Sequence, residues 1–580
     1  MKRMASYLKP YWLFCLLAQL AMVGEVAMDL IQPGMMSQIV DDGVLGLSNG
    51  GVGDLDLVIT VGLRMIVFVI IGGVCGVLAG LFSNLASQNF ANDVRKDCFR
   101  TVMHLSFEQT DRFSTGSLVT RITNDVTQVQ NIIPAFTRGG VRAVVFFIGG
   151  IFCMLRLHLS FGIVVACALP LVVVTVVYFL RKAAPVFARL QKRLDKVNSV
   201  MQENVSGARV VKAYVQEERE EQRFEEANQG LVETQLQALL FFACMSPMMN
   251  IIMNTAVVAV IYVGGIGVQQ GTVTPGNVMA AITYSTQILN SITSMAMIFQ
   301  NVTRGMASVE RLAEVLDTQP AIRDGRGAAE TAPGTVEFRN VSFAYPGSKE
   351  QVLHDINLTI HPGETIGIMG ATGCGKSTLV NLIPRFYDPV EGTVLVNGVD
   401  VRDYPLHELR DKISIALQKS ELFRGTIGEN IAMGSPESDA ADLQSAAETA
   451  QAMEFITQKS EGFDTEVAEQ GMSLSGGQKQ RIAISRAVLK PADILIFDDA
   501  TSALDLKTEA NLYQALRQRA PGVTKIIIAQ RVASVRGANR IAILESGTII
   551  ACAPHEELLR TCPEYQDIYY SQLKGSEHCG

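Results

Sequence analysis

The run TIGIMGATGCGKSTLV, residues 365–380, decides how the second half of the chain is read. Thr365 to Met369 have the apolar character of a buried strand. A glycine-rich turn follows, and the apolar spacing after Lys376 predicts a helix. Glycines let successive backbone N–H groups face one point, and the helix behind them adds its positive N-terminus. Such a turn suits a chain of phosphates. The pattern G-x-x-x-x-G-K-S/T spans Gly370, Thr372, Gly373, Cys374, Gly375, Lys376, Ser377 and Thr378. It assigns Lys376 to the β and γ phosphates and Ser377 to magnesium.

Over a hundred residues later, ILIFDD, residues 494–499, reads as a second buried strand that delivers Asp498 to the same magnesium. Between the two lies LSGGQKQRIAISRAVL, residues 474–489. There Ser475, Gly476 and Gly477 can form an anion-binding nest, or a simple cap, at the head of a helix. Working outward, TVEFRNVSFAYPG, residues 335–347, alternates like a strand, and strands and helices then alternate to the end. This predicts an α/β nucleotide-binding domain over residues 335–580 with a largely parallel sheet. Upstream, DTQPAIRDGRGAAETAPG, residues 317–334, is rich in Pro, Gly, Ala and charge and reads as a linker.

Residues 1–316 have a different composition. Apolar runs near the length needed to cross a bilayer, about 20 residues, cover six stretches: Tyr11 to Ile31, Leu57 to Phe82, Ile133 to Met154, Phe161 to Leu180, Phe241 to Val268 and Val278 to Phe299. The N-terminus starts like a signal peptide, but apolar character resumes beyond Glu25 and Asp29 toward Met36. A retained first membrane helix preceded by a basic cytoplasmic MKRMASYL is therefore expected. The loop DDGVLGLSNGGVGDLD, residues 41–56, has acids and no Lys or Arg. The connections Ser83 to Ile132 and Arg181 to Leu240 are long and carry Arg95, Lys96, Arg100, Arg112, Arg121, Lys192 and Arg193. Cytoplasmic loops carry the positive excess, so the long connections are read as helical limbs reaching into the cytoplasm. The fold expected is a membrane α-helical bundle of six helices with long cytoplasmic extensions, joined to an α/β P-loop domain.

The net charge of -8 and the absence of a Lys/Arg stripe leave no footprint for nucleic acid. Ten cysteines without a CxxC pair give neither a disulfide framework nor a zinc site.

The stretch LSGGQ, Leu474 to Gln478, resembles the signature of ATP-binding-cassette proteins, and further stretches match that family in order. Tyr345 in FAYPG looks like the aromatic that stacks on adenine. Gln418 resembles the Q-loop glutamine that senses the γ-phosphate and reaches magnesium, with Leu417 where a proline is common. Glu469 in TEVAEQG looks like the segment that contacts cytoplasmic helices, and SALD, Ser502 to Asp505, resembles the D-loop. IIIAQRVAS, residues 526–534, matches the switch region, with Gln530 where the usual residue is histidine. In the membrane half, Arg112 to Asn131 and Glu203 to Phe224 resemble the two intracellular coupling regions of exporters with six helices per half. The resemblance covers nearly the whole chain, YLKPYW and SQNF included. It is nearest to the weakened-site subunit of bacterial heterodimeric multidrug exporters, which implies a multi-pass protein of the bacterial cytoplasmic membrane using ATP and Mg2+.

The second acid, Asp499, stands where that family usually carries glutamate. An aspartate is one methylene shorter, about 1.5 Å, and a misplacement of about 1 Å costs on the order of a hundredfold in rate. Glutamine at 530 can hydrogen-bond but cannot carry charge. Both changes point to a slow hydrolytic site, while the intact signature, Ser475 to Gln478, is implied to complete the ATP site of a partner. That partner is expected to be a second half-transporter with the Walker B glutamate and the switch histidine. The alternatives are a homodimeric lipid or peptide exporter with slow hydrolysis, or a mainly regulatory ATP-binding subunit.

For cargo, Glu25 and Asp29 fall one helical turn apart inside the first span. Acids there are costly. Either they attract a cationic substrate, or they bond to neighbouring helices or anchor the outer end of the span. Met245, Met248, Met249, Met253, Met295 and Met297 offer an adaptable lining for hydrophobic small molecules, or are simply packed or lipid-facing. Export of drugs, or of lipid-like compounds from the inner leaflet, is the expected function.

Overall fold

The computed structural model describes residues 2–327, 331–348 and 350–577. It divides into two compact units, one of Met1–Met103 with Thr115–Thr318 and the other of His104–Ser114 with Gln319–Gly580.

The first unit is helical. Its elements are α1 (Lys2–Leu8), α2 (Trp12–Gln38) and α3 (Leu55–His104), which is followed by α4 (Phe107–Phe113) of the second unit. Next come α5 (Thr115–Thr120), α6 (Val126–Pro134), α7 (Val141–Leu157) and α8 (Leu159–Ser206). The unit ends with α9 (Ala208–Ala213), α10 (Glu217–Ala243), α11 (Met245–Gln269) and α12 (Pro275–Asp317). Wider π turns interrupt the regular helix at Ile39–Val44, Arg121–Asp125 and Ala135–Gly140, the last directly after Pro134.

On α3, Leu63, Ile66, Ile70, Val74 and Val77 recur at helical spacing and are each more than half exposed. A stripe of that kind is unfavourable in water and natural against lipid. Among the described residues, five helical segments are long and apolar enough to cross a membrane: Arg3–Val44, Leu55–His104, Thr115–Leu157, Leu159–Phe179 and Glu217–Gln269. The sixth expected span, Val278 to Phe299, is helical within α12 and is not among those five. Small clusters knit the bundle, such as Met154, Phe161, Val260, Ala281 and Ile288. The expected basic N-terminal segment is a helix in the structure, clamped by Tyr7 and Tyr11. Their hydroxyls donate to Asp97 and Asp93 at 2.8 and 2.7 Å, while Arg3 pairs with Asp317.

In the second unit, β1 (Val336–Phe343), β2 (Leu353–Ile360), β4 (Glu391–Val396) and β5 (Val399–Asp400) form an antiparallel sheet in the order β2-β1-β4-β5. A second sheet holds β3 (Thr365–Met369), β6 (Ile413–Ala416), β9 (Ile494–Asp498), β10 (Thr524–Ile528), β11 (Arg540–Glu545) and β12 (Thr548–Ala553). Its order is β12-β11-β3-β10-β9-β6, parallel except for the edge strand β12. Strand β3 lies inside this sheet and is followed by α13 (Lys376–Asn381), so the phosphate turn sits at the carboxyl ends of the strands, where such sheets bind ligands. A layer of Val336, Phe338, Ile356, Ile366, Ile368, Leu379, Ile494 and Ile526 fills the space between the sheets.

A helical lobe is built on α15 (Ile427–Ala432), α16 (Ala440–Thr449), α17 (Met453–Ile456) and α18 (Gly476–Leu489), with β7 (Gly425–Thr426) paired to β8 (Glu466–Val467); α14 (Leu406–Asp411) precedes it. Helices α19 (Leu506–Arg519), α20 (Val532–Val535), α21 (His555–Thr561) and α22 (Pro563–Glu577) cover the other face of the parallel sheet.

Residues 328–330 of the expected linker lie outside the described residues. The part before them is bonded to the second unit. The N–H groups of Gly325 and Gly327 donate to the carbonyls of Tyr404 and Asp403 at 2.9 and 2.8 Å.

Candidate functional site

Three glycines give the phosphate turn its shape, with φ of 152° at Gly370, 85° at Gly373 and 101° at Gly375. A Cβ at Gly370 would meet the Leu544 carbonyl oxygen at 2.1 Å, and one at Gly375 would meet Leu353 Cδ2 at 2.8 Å. Only glycine fits either position. Lys376 Nζ donates to the carbonyls of Gly370 and Ala371 at 2.9 and 2.8 Å and lies 3.8 Å from Cys374 Sγ. The lysine is thus held on the concave side of the turn by the loop itself.

The two magnesium-side residues meet directly, since Ser377 Oγ donates to Asp498 Oδ1 at 2.8 Å. Burial pushes the Asp498 carboxyl up, opposed by the Ser377 hydrogen bond; the neighbouring Asp499 raises it further and Lys376 lowers it. Asp499 is buried, with its backbone in the left-handed region at φ 49°. Its N–H donates to the Ile528 carbonyl at 3.1 Å. Its Oδ2 accepts from Gln530 Nε2 at 2.9 Å and lies 3.5 Å from Gln418 Nε2. Gln418, in the turn after β6, therefore approaches Asp499 and not Asp498.

Tyr345 lies against the turn, with its hydroxyl 2.9 Å from Thr378 Oγ1. Its ring packs edge-on against Phe343 and Tyr387, with centroids 5.0 and 5.4 Å away. Tyr387 in turn donates to Asp111 Oδ2 at 3.0 Å, and Phe107 meets Phe386 with centroids 4.6 Å apart. The membrane-domain segment that packs on the nucleotide unit is therefore His104–Ser114, which overlaps the expected coupling region, Arg112 to Asn131, only at its first three residues. The reason is local: Ser106 and Gln109 form a capping box that starts α4 and presents Phe107. The remaining residues to Asn131, and Glu203 to Phe224 with α9, belong to the first unit.

The signature is itself a capping box. Ser475 Oγ accepts from the Gln478 N–H at 3.4 Å, and Gln478 Oε1 accepts from the Ser475 N–H at 3.0 Å. Gly476 and Gly477 form the first turn of α18, and a Cβ at Gly477 would come 3.0 Å from the Ala503 carbonyl oxygen. One turn on, Gln480 donates to Ser502 Oγ at 3.0 Å and accepts from the Ala503 N–H at 2.8 Å. Ser502 Oγ in turn donates to the Asp499 carbonyl at 3.0 Å. Gln480 thus ties the signature helix to the segment after Asp499, a role that sequence reading missed. Glu509 is a second such residue: it is 3% exposed, accepts from Thr501 at 2.6 Å and Ser534 at 2.5 Å, and so joins that segment to the switch.

This arrangement fits a nucleotide triphosphate with magnesium. The positive φ angles of Gly370, Gly373 and Gly375 shape a turn that side-chain-bearing residues would strain. Ser377 and Asp498 supply two hard oxygen donors, and phosphates and water complete the usual set for this ion. Among the described residues no cluster of three His, Cys, Asp or Glu offers an all-protein metal cage.

Residues 14–292 match the family ABC transporter transmembrane region, and residues 353–502 match the family ABC transporter. YfiB of Bacillus subtilis, an uncharacterised ABC transporter ATP-binding protein, is 37% identical over 100% of both chains. The chain belongs to the ABC transporter family. Other relatives of this transporter are the ATP-dependent lipid A-core flippase of Syntrophus aciditrophicus, 34% identical over 88% of this chain and 85% of that one, and YgaD of Bacillus subtilis, named as a candidate multidrug export ATP-binding/permease protein, 31% identical over 99% of both. The structure of a bacterial Atm1-family ABC exporter with ATP bound matches with a TM-score of 0.81 at 26% identity, over 98% of this chain and 99% of that one. The chain is accordingly one half of an ATP-driven ABC exporter, a multi-pass membrane protein with a fused nucleotide-binding domain. In that domain the turn N–H groups and Lys376 would hold the phosphates, and Ser377 and Asp498 would hold the magnesium that offsets their charge.

In the exporter's membrane domain, both acids of the first span meet one arginine. Glu25 Oε1 lies 3.0 Å from Arg142 Nη1, and Asp29 Oδ2 lies 3.7 Å from Arg142 Nη2. Both acids thus bond to a neighbouring helix, α7. Of the six methionines, Met249 is buried and Met248, Met295 and Met297 are exposed. Met245 and Met253 pack beside Met249, Val172 and Leu289.

Proposed function

We propose that this half-transporter pairs with a second, different one, and that its own ATP site turns over slowly while its signature serves the partner's faster site. The observation that carries the reading is the state of Asp499: a short carboxylate in a left-handed backbone position, held at 2.9 Å by the neutral amide of Gln530. A glutamate reaches about 1.5 Å further, and an imidazolium adds a charge that an amide lacks. Tyr345 would take the adenine. Gln418 would report the γ-phosphate, and Ser475, Gly476, Gly477 and Gln478 would close on the partner's nucleotide. The partner carries the Walker B glutamate and the switch histidine. ATP binding then draws the cassettes together and tips the membrane helices outward, and hydrolysis at the partner's site resets the cycle.

The cargo we infer is a hydrophobic or amphiphilic compound taken from the cytoplasm or the inner leaflet of a bacterial cytoplasmic membrane. The names of the relatives, a lipid A-core flippase and a candidate multidrug exporter, support this class. The deciding experiment is ATPase turnover in lipid of the chain alone and of the chain co-expressed with its candidate partner, each with and without Asp499→Glu. A nearly inactive chain, an active pair and an altered, not rescued, rate in the variant support the pairing. Brisk hydrolysis by the chain alone refutes it and returns Asp499 to the role of a competent catalytic carboxylate.

A further inference from the structure

Two arginines lie one helical turn apart inside the third membrane-crossing segment, Thr115–Leu157: Arg138 on its π turn and Arg142 on α7. Ionisable groups inside an apolar membrane-spanning helix are costly and mark function. Both are seated around one notch of α3, where glycines at 76 and 80 are also one turn apart. A Cβ at Gly76 would stand 2.8 Å from Glu25 Oε2, and one at Gly80 would stand 3.8 Å from the Arg138 guanidinium. The notch therefore admits the Glu25 carboxylate from α2 and the Arg138 head from the π turn.

The four charges are not equivalent. Glu25, 15% exposed, is spent on Arg142, and Asp29 supports the same guanidinium more loosely. Arg142 keeps 48% of its side chain exposed and its guanidinium lies 5.5 Å from the centre of the Phe146 ring, which fixes its plane. Arg138 is exposed, and among the described residues its side chain makes no ion pair or hydrogen bond. Both acids are thus turned to one guanidinium, Asp29 from a position 33% exposed, and the Arg138 guanidinium stands beside them with no acid of its own among the described residues. Guanidinium groups favour phosphate and carboxylate, which they grip with paired N–H donors. Close by on α3, Val77 and Leu81 are 71% and 51% exposed, an apolar surface beside the notch.

We propose that Arg138 and Arg142 bind the acidic headgroup of an anionic amphiphile, a lipid-like molecule bearing phosphate or carboxylate. The acids Glu25 and Asp29 then position Arg142 and do not themselves receive a cation. The proposal deepens the exporter reading and rests on it, naming the charge of the cargo.

The test uses the purified full-length chain in detergent. Binding of dioleoyl phosphatidic acid, of a dioleoyl trimethylammonium lipid with the same tails, and of inorganic phosphate is counted by native mass spectrometry. ATP binding by the same sample, and its loss in Lys376→Ala, reports the exporter reading separately. The phosphatidic acid should bind at least about tenfold more tightly than the cationic lipid, as expected for charge-assisted hydrogen bonds. Arg138→Gln should abolish that preference while ATP binding persists, and Arg138→Lys should keep most of it. Equal binding of the two lipids, preference for the cation, or an unchanged preference in Arg138→Gln overturns the proposal. Inorganic phosphate that competes as well as the lipid overturns the amphiphile. Failure of the wild-type chain to bind ATP overturns the exporter reading instead.

Discussion

The side-chain amide of Gln530 donates to Oδ2 of Asp499 across 2.9 Å, next to the Asp498 carboxylate that accepts from Ser377. The bond orients Asp499 without adding charge. On the reading above, ATP bound by this chain is retained, not hydrolysed. Retained nucleotide can be followed with radiolabelled ATP. The double variant Asp499→Glu, Gln530→His, which restores the longer carboxylate and the imidazole together where Asp499→Glu alone does not rescue turnover, should convert it to ADP about ten- to a hundredfold faster than wild type. Unchanged retention removes Asp499 and Gln530 as the cause of slowness.

A chain of side chains runs from the phosphate turn to α4: Thr378 to the Tyr345 hydroxyl at 2.9 Å, Tyr345 to Tyr387 with ring centres 5.4 Å apart, and Tyr387 to Asp111 at 3.0 Å. Burial and the neighbouring Asp111 push the Tyr387 hydroxyl up, so it stays a donor at neutral pH. Tyr387→Phe keeps the ring and deletes this bond, at a cost of about 0.5–1.5 kcal/mol. Hydrogen exchange over residues 107–113 should change on ATP addition in wild type and respond several-fold less in the variant. An equal response would mean that the nucleotide acts on α4 by another route.

Cys374 is 9% exposed, and its sulfur lies 3.8 Å from Lys376 Nζ. The turn is closed so tightly that a Cβ at Gly370 would meet this sulfur at 2.8 Å. A bulky maleimide there should abolish ATP binding, and bound ATP should slow the labelling. Cys374→Ala should bind ATP normally and lose the sensitivity. Labelling of Cys374 with binding intact would contradict the loop geometry.

What was legible in the sequence was what local chemistry encodes. The strand, glycine turn and helix around Lys376 follow from residues within a dozen positions of one another. The signature declares its own helix start because Ser475 and Gln478 form a capping box. The box at Ser106 and Gln109 carries the same signal, which would have placed α4 several residues earlier than the family pattern did. The long-range pairings left no such trace. Nothing near Glu25 announces Arg142, and nothing near Gln480 announces Ala503, because each contact is set by the packing of whole helices. Tyr345 illustrates the middle case. Its position was found, yet its hydrogen bond to Thr378 depends on how β1 runs beside α13.

Glu364 pairs with Arg540 through two bonds of 2.7 and 2.9 Å and also accepts from the His361 N–H at 2.9 Å. Burial alone would push its carboxyl up, but the Arg540 and His361 contacts outweigh this and hold it below its ordinary value of 4.5. A carboxyl held low contributes stability that is present above its unfolded value and lost as pH falls through the folded one. Thermal unfolding of the full chain should therefore shift downward below pH 4.5. Glu364→Gln should lose about 1–3 kcal/mol at pH 7 and show a shallower acid decline. A parallel decline in both proteins would place the acid sensitivity elsewhere.

Gln480 offers the sharpest separation between holding a site together and doing chemistry in it, because it touches neither the phosphate turn nor magnesium's ligands, yet bonds Ser502 and Ala503. Gln480→Ala leaves the Ala503 N–H without its acceptor, a loss of about 1–3 kcal/mol if that group stays buried. Since Ser502 also holds the Asp499 carbonyl at 3.0 Å, the loosening reaches the segment that follows the Walker B strand and begins with Asp499. Turnover of the assembled dimer should fall about tenfold, the rate equivalent of about 1.4 kcal/mol, with ATP affinity at Lys376 unchanged. Gln480→Glu keeps an acceptor for Ala503 but cannot donate to Ser502 when ionised, so it should recover part of the rate. Full activity in Gln480→Ala would show that the signature helix and the Asp499 segment keep their spacing without this side chain.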